Sequence, residues 1–124
     1  MAERAHVEGA QIVLTNTPVS IRMGTIDRLA EQCGAVVIPA DATNVADLEH
    51  LVTKGMEQLG GRFDFVLHSI GMSPNVRKGR TYDDLDYDYY QKTVDISAIS
   101  FHKVIQTCRK LDAIEAWRSV VALS

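Results

Sequence analysis

The sequence of 124 residues contains neither a Gly-x-Gly-x-x-Gly turn nor a P-loop, so the usual glycine-rich cradle for a phosphate is absent from it. There is no Gly-x-Ser-x-Gly elbow, which removes the commonest hydrolase reading. Cysteine is scarce. Cys33 and Cys108 stand far apart, outside any Cys-x-x-Cys spacing, and read as buried thiols in a reducing compartment. His6, His50, His68 and His102 are scattered without metal-ligand spacing, so no metal site is expected. Lys and Arg number 13 against 16 Asp and Glu, a net charge of -3, and no basic stripe marks a nucleic-acid surface. No run is apolar enough for a membrane span, and the first eleven residues lack the core of a signal peptide; a soluble cytoplasmic protein is the expectation.

What is present is an alternation. Hydrophobic residues make up 46% and charged residues 23%, which suits a globular chain, and the length suits one domain spanning residues 1–124. Strand-like runs at 10–15, 36–38, 63–68 and 119–123 alternate with helical patterns. That order predicts an α/β fold with a parallel sheet and helices on its faces. Residues 1–7 read as the end of a helix closed by Gly9, and 17–20 as a loop. Ile26, Leu29, Ala30 and Cys33 keep the spacing of one buried helix face, ended by Gly34. Asn44 with Asp47 marks the start of the next helix, with Leu48, Leu51, Val52, Gly55, Met56 and Leu59 on one side. Residues 75–81 read as a polar loop. Asp83 to Asp88 supply the acidic first turns of a long helix that keeps Val94, Ala98, Phe101, Val104, Ile105, Cys108 and Leu111 in register, with Tyr90 and Ile99 on its opposite face.

In open α/β sheets ligands bind beyond the carboxyl ends of the strands. Parallel strands would bring Thr15 to Thr17, Asp41 with Ala42, Ser69 to Gly71, and Ser124 to one edge. Each has an ordinary explanation alone, as capping or turn residues. Their common placement points to a ligand edge. The run Phe-Asp-Phe-Val-Leu-His-Ser-Ile-Gly-Met-Ser-Pro at 63–74 is its centre, because a glycine just past a buried strand lets backbone approach a flat ligand closely.

Three segments, Val-Leu-His-Ser-Ile-Gly at 66–71, Val-Asp-Ile-Ser-Ala-Ile-Ser-Phe at 94–101 and Val-Val-Ala-Leu-Ser at 120–124, resemble the NADH-dependent enoyl-[acyl-carrier-protein] reductases of bacterial fatty acid synthesis. These are divergent members of the short-chain dehydrogenase/reductase superfamily, and the flanking text is similar to the Bacteroidetes branch. The resemblance covers the whole chain. It implies a Rossmann-like sheet and reduction of trans-2-enoyl thioesters with NADH. It further implies enoyl-acyl carrier protein as partner and a homotetrameric parent with the helix over 83–111 at an interface. Site roles follow from the same likeness. Thr17 would border the adenine ribose, Asp41 would accept from the adenine amino group, and Ala42 would lie beside the ring. Ser69, Ile70 and Gly71 would run along the ribose and nicotinamide, Ser73 would reach the acyl substrate, and Asp95 would hold helix backbone and ordered water.

Departures from the family pattern accompany the likeness. Its glycine-rich loop would precede Met1, and its catalytic tyrosine with a lysine seven positions on would follow Ser124. None of Tyr82, Tyr87, Tyr89 or Tyr90 has a lysine at that spacing. The expectation is therefore an internal fragment with no catalytic residue of its own. In the family strand order 3-2-1-4-5 the missing strand belongs between residues 10–15 and 63–69. An open slot there, or direct closure of those two strands, is expected; a strand supplied by residues 1–9 would contradict it. Two alternatives stand beside this reading: a short non-catalytic Rossmann-like module that binds a nucleotide or a partner, and another short-chain dehydrogenase/reductase.

Overall fold

A computed structural model describes residues 1–123; Ser124, placed by the sequence at the ligand edge, lies outside the described residues. The elements alternate as expected. Helix α1 (Ala2–Val7) leads to strand β1 (Val13–Asn16), then α2 (Pro18–Arg22), α3 (Asp27–Cys33), β2 (Val36–Pro39), α4 (Val45–Leu59), β3 (Phe63–His68), α5 (Pro74–Arg77) and α6 (Tyr87–Val94). A π-helical turn over Asp95–Ile99 joins α6 to α7 (Ser100–Lys110), and β4 (Ile114–Ala122) closes the described chain.

Both strand pairings are parallel. Val13 lies opposite Val36 and Asn16 opposite Pro39 in one pair, while Val66 lies opposite Val120 and His68 opposite Ala122 in the other. These form two separate two-stranded sheets, β1 with β2 and β3 with β4. Among the described residues no strand lies between β1 and β3, and residues 2–7 are helical. The open slot is thus the arrangement found.

Helix α4 joins the two halves. It packs against β1 and β2 on one side and against α7 on another. Its Val52 shares a buried cluster with Cys108 of α7 and Ala113, and Met56, Phe63, Val66, Val104, Leu111 and Ile114 surround that cluster. Gly55 explains itself here, because a Cβ at that position would come within 3.0 Å of the Phe63 ring. Absence of a side chain lets helix and strand close up. Both cysteines are free and buried, and burial pushes the Cys108 thiol up to about 11.

The expected boundaries need four corrections. The segment at 17–20 is the start of α2, because the Thr17 hydroxyl caps it and Pro18 occupies its first position. The polar loop at 75–81 contains the end of α5, built on the same pairing of Ser73 with Pro74. The long helix begins at Asp86, which caps Asp88 and Tyr89, and is interrupted by the π turn. Ala98 and Ile105, placed on the buried face by an unbroken helical count, are exposed; Cys108 of that face is buried as expected, and so are Ser100 and Thr107, which lie off it. Finally, β4 starts at Ile114 rather than Ser119. Pairing advances from Phe63–Ile114 to Phe65–Ser119, so the extra residues bulge from the ladder. Within them Trp117 is fully exposed at a φ of 65°.

Candidate functional site

Three strand ends form the edge. At the end of β1, the Thr17 amide donates to Asn16 Oδ1 at 2.9 Å, and Thr17 Oγ1 accepts from the Ser20 amide at 3.3 Å. That hydroxyl also donates to Ser20 Oγ at 3.0 Å, so its hydrogen and one lone pair go to starting α2. Beyond β2, the buried Ala40 donates its N–H to the Asn16 carbonyl at 3.1 Å, which draws the two strand ends together.

Asp41 then makes a tight turn. Its Oδ1 accepts from the Thr43 amide at 2.9 Å and the Thr43 hydroxyl at 2.7 Å. Its own amide donates to Asp47 Oδ2 at 2.9 Å, in the first turn of α4. Helix α4 begins there because Asn44 Oδ1 accepts from the Ala46 and Asp47 amides. The second carboxylate oxygen of Asp41 has no hydrogen-bond partner among the described residues, and Ala42 beside it is half-buried.

Beyond β3 the chain runs through Ser69, Ile70 and Gly71 without regular structure. Ser69 and Gly71 are exposed and Ile70 is half-buried. A Cβ on Gly71 would meet nothing within 4 Å, so the space it faces is open. Ser73 Oγ accepts from the Val76 amide at 3.4 Å and caps α5. The following loop is closed by buried Asn75, whose side chain donates to the Thr81 carbonyl and accepts from the Asp86 amide.

The π turn and the start of α7 hold this strip from behind. Ser97 Oγ lies 3.1 Å from the Met72 amide and 3.4 Å from the Met72 carbonyl. His68 is 3% exposed, with its Nε2 at 2.7 Å from Ser100 Oγ and its ring edge-on to Phe101 at 5.3 Å. The Ser100 hydroxyl also reaches the Ile96 carbonyl at 2.6 Å. A hydroxyl has one hydrogen; if it goes to that carbonyl, the imidazole Nε2 is the donor to Ser100. Desolvation by burial lowers the His68 pKa from its ordinary value, partly offset by a backbone hydrogen bond.

The Asp95 carboxylate pairs with Lys103 Nζ at 2.9 Å, and the same ammonium donates to the Thr43 carbonyl at 2.9 Å. The helical segment from Asp95 to Lys103 therefore touches the loop after β2 and the strip after β3 at once. Thr17, Asp41 and Ala42 fall together on the first half of the edge, and Ser69, Ile70, Gly71 and Ser73 on the second. His68, Ser97, Ser100 and Lys103 were not singled out by the sequence. The available signal was that the His-Ser-Ile-Gly and Asp-Ile-Ser-Ala-Ile-Ser-Phe segments occur in one chain, since the second supplies the hydroxyls that grip the first.

Among the described residues no three His, Cys, Asp or Glu side chains gather where a metal could sit, and none of the described helices is long and apolar enough to cross a membrane.

Comparison with known proteins bears on the same edge. The structure superposes on the crystal structure of FabI from Alistipes finegoldii with a TM-score of 0.94 and 75% identity, covering 99% of this chain and 47% of that one. A FabI-NADH complex from the same organism gives a TM-score of 0.95 at 75% identity, over 99% of this chain and 44% of that one. Among curated proteins, enoyl-[acyl-carrier-protein] reductase [NADH] 1 of Rhizobium meliloti is 32% identical over 97 residues, 77% of this chain and 35% of that protein. The chain thus spans less than half the length of these relatives. Their likeness in sequence and in backbone is joined by a match of residues 1–124 to the family model described as enoyl-(acyl carrier protein) reductase, and the chain belongs to that family.

Proposed function

We propose that this chain forms the NADH-binding edge of an enoyl-[acyl-carrier-protein] reductase that reduces trans-2-enoyl thioesters in fatty acid biosynthesis. The observation that carries the reading is the pairing of two open strand-end loops, 41–43 and 69–72, on one helical segment. A dinucleotide needs two such places, held at a fixed separation.

The residues suit the cofactor. The unpartnered oxygen of Asp41 is an acceptor for the exocyclic amino group of adenine, with the Ala42 backbone beside the ring and Thr17 bordering the adenine ribose. The open space at Gly71 admits a flat ring against backbone, with Ser69 and Ile70 along the ribose. Ser73, at the head of α5, faces the acyl side in this reading. NADH, when bound, supplies the hydride for the enoyl double bond. In this reading the chain's part is to bind and orient. On its own the polypeptide is expected to bind NADH without turnover. The parent enzyme is read as a cytoplasmic homotetramer acting on enoyl-acyl carrier protein, with the helical segment over 83–111 at a subunit contact.

Calorimetric titration of the purified chain with NADH, followed by an assay with a crotonyl thioester, tests both halves. Saturable binding that free ADP competes away, with no NADH oxidation, is the expected outcome. Absence of binding would refute the cofactor reading, and measurable turnover would refute the binding-only role.

A further inference from the structure

We propose that Lys103 is a positioning residue that sets the distance between the two halves of the cofactor edge. The inference rests on the reading of 41–43 and 69–72 as the adenine and nicotinamide sides. Those two loops leave strands of different sheets, and no hydrogen bond joins β1 to β3 among the described residues. Helix α4 packs on β1, β2 and α7, and side-chain contacts act beside that packing to hold the loops at their separation.

On the nicotinamide side, Ser97 grips the Met72 backbone and Ser100 grips His68. On the adenine side, Thr43 fixes Asp41 through two bonds to Oδ1, and the Thr43 carbonyl accepts from Lys103 Nζ at 2.9 Å. Lys103 stands three residues after Ser100 on α7, and Asp95 in the π turn holds its ammonium at 2.9 Å. The lysine is 23% exposed, so its stem is largely covered and the long side chain is confined. Lys103 thereby spans the gap between a rigid helical segment and the adenine loop. Its geometry orders backbone and leaves the Asp41 carboxylate available to a ligand.

A ligand that engages both loops gains from a fixed separation, whereas one that engages the adenine loop alone does not. The experiment compares the chain with its Lys103→Met and Lys103→Arg variants by calorimetry, using NADH and ADP as separate ligands. Lys103→Met is expected to weaken NADH roughly tenfold, the scale of one charge-assisted hydrogen bond, and ADP less than about twofold. Lys103→Arg, which keeps the charge and the donors, should recover most of the NADH affinity. Unchanged NADH affinity in Lys103→Met would overturn the proposal. Equal losses for NADH and ADP would do so too, because they would place the effect of Lys103 on the adenine side's own ligand contacts rather than on the separation of the two loops.

A second measurement needs no ligand. Amide hydrogen exchange across residues 43–46 should accelerate in Lys103→Met while the centre of α4 stays protected; exchange unchanged at 43–46 would refute the positioning role. If the unsubstituted chain binds no NADH, the cofactor reading fails, and this exchange experiment still decides whether Lys103 orders the loop.

Discussion

His68 shows how much one side chain contributes to a site it does not face. It is the last residue of β3, buried, and its ring is bonded to a hydroxyl that stands 32 residues away. Burial disfavours the imidazolium, so the folded-state pKa lies below the ordinary value of 6.5. The sign follows directly. As pH falls through about 6.5, the unfolded chain takes up a proton that the folded chain resists, so stability declines with falling pH and levels off below the folded-state pKa. Urea unfolding at about pH 7.5 and pH 5.5 should show that decline, and His68→Gln should flatten much of it. An identical slope in the variant would assign the effect to other groups. In the sequence His68 is one of four histidines without metal-ligand spacing and a member of the His-Ser-Ile-Gly segment, and neither feature gives its ring a partner. Its partner Ser100 lay off the expected apolar stripe. Nothing local to either residue announces the bond, because a contact across 32 residues exists only once β3 and α7 are packed.

At the scale of elements, the chain starts helices with oxygen-bearing caps. Asn44, Thr17, Ser73 and Asp86 each accept from backbone amides of the following turn. Asn44 was legible because a long periodic face follows it. Residues 17–20 and 75–81 read as loops in the sequence, since helices of five and four residues are too short to show a period. The π turn was invisible for a different reason. An extra residue per turn has no local signature in Asp-Ile-Ser-Ala-Ile, yet it coincides with the grip of Ser97 on Met72 and shifts the buried face, leaving Ala98 exposed. Capping also reaches the site. Asn44 orders the turn that presents Asp47, and Asp47 in turn holds the Asp41 amide. Asn44→Ala is therefore expected to cost about 1 kcal/mol in denaturant unfolding. A loss within about 0.2 kcal/mol of zero would show that the Asp47 contacts suffice without the cap.

The whole molecule presents more surface than its mass requires. Its accessible area is 8526 Å², against roughly 6,600 Å² for a compact monomer of 13.7 kDa. Alternation of strands and helices made the parallel α/β plan legible, and the family likeness made the slot between β1 and β3 an expectation. The bulge at Trp117 was not legible, because pairing register depends on the partner strand. The slot matters physically, since each unpaired strand edge offers N–H and C=O groups to any neighbouring chain. Phe65 of β3 is 45% exposed, an apolar side chain on a strand that borders the slot. Sedimentation velocity should accordingly show average mass rising with protein concentration. Phe65→Lys should reduce the rise, because a charge on an exposed strand opposes edge-to-edge pairing and leaves the buried cluster around Val52 and Cys108 intact. Association unaffected by the lysine would locate the contact elsewhere, with the apolar outer face at Tyr90 and Ile99 next in line. A single monomeric species at every concentration would instead favour the short self-contained nucleotide-binding module, whose strand edges need no further partner.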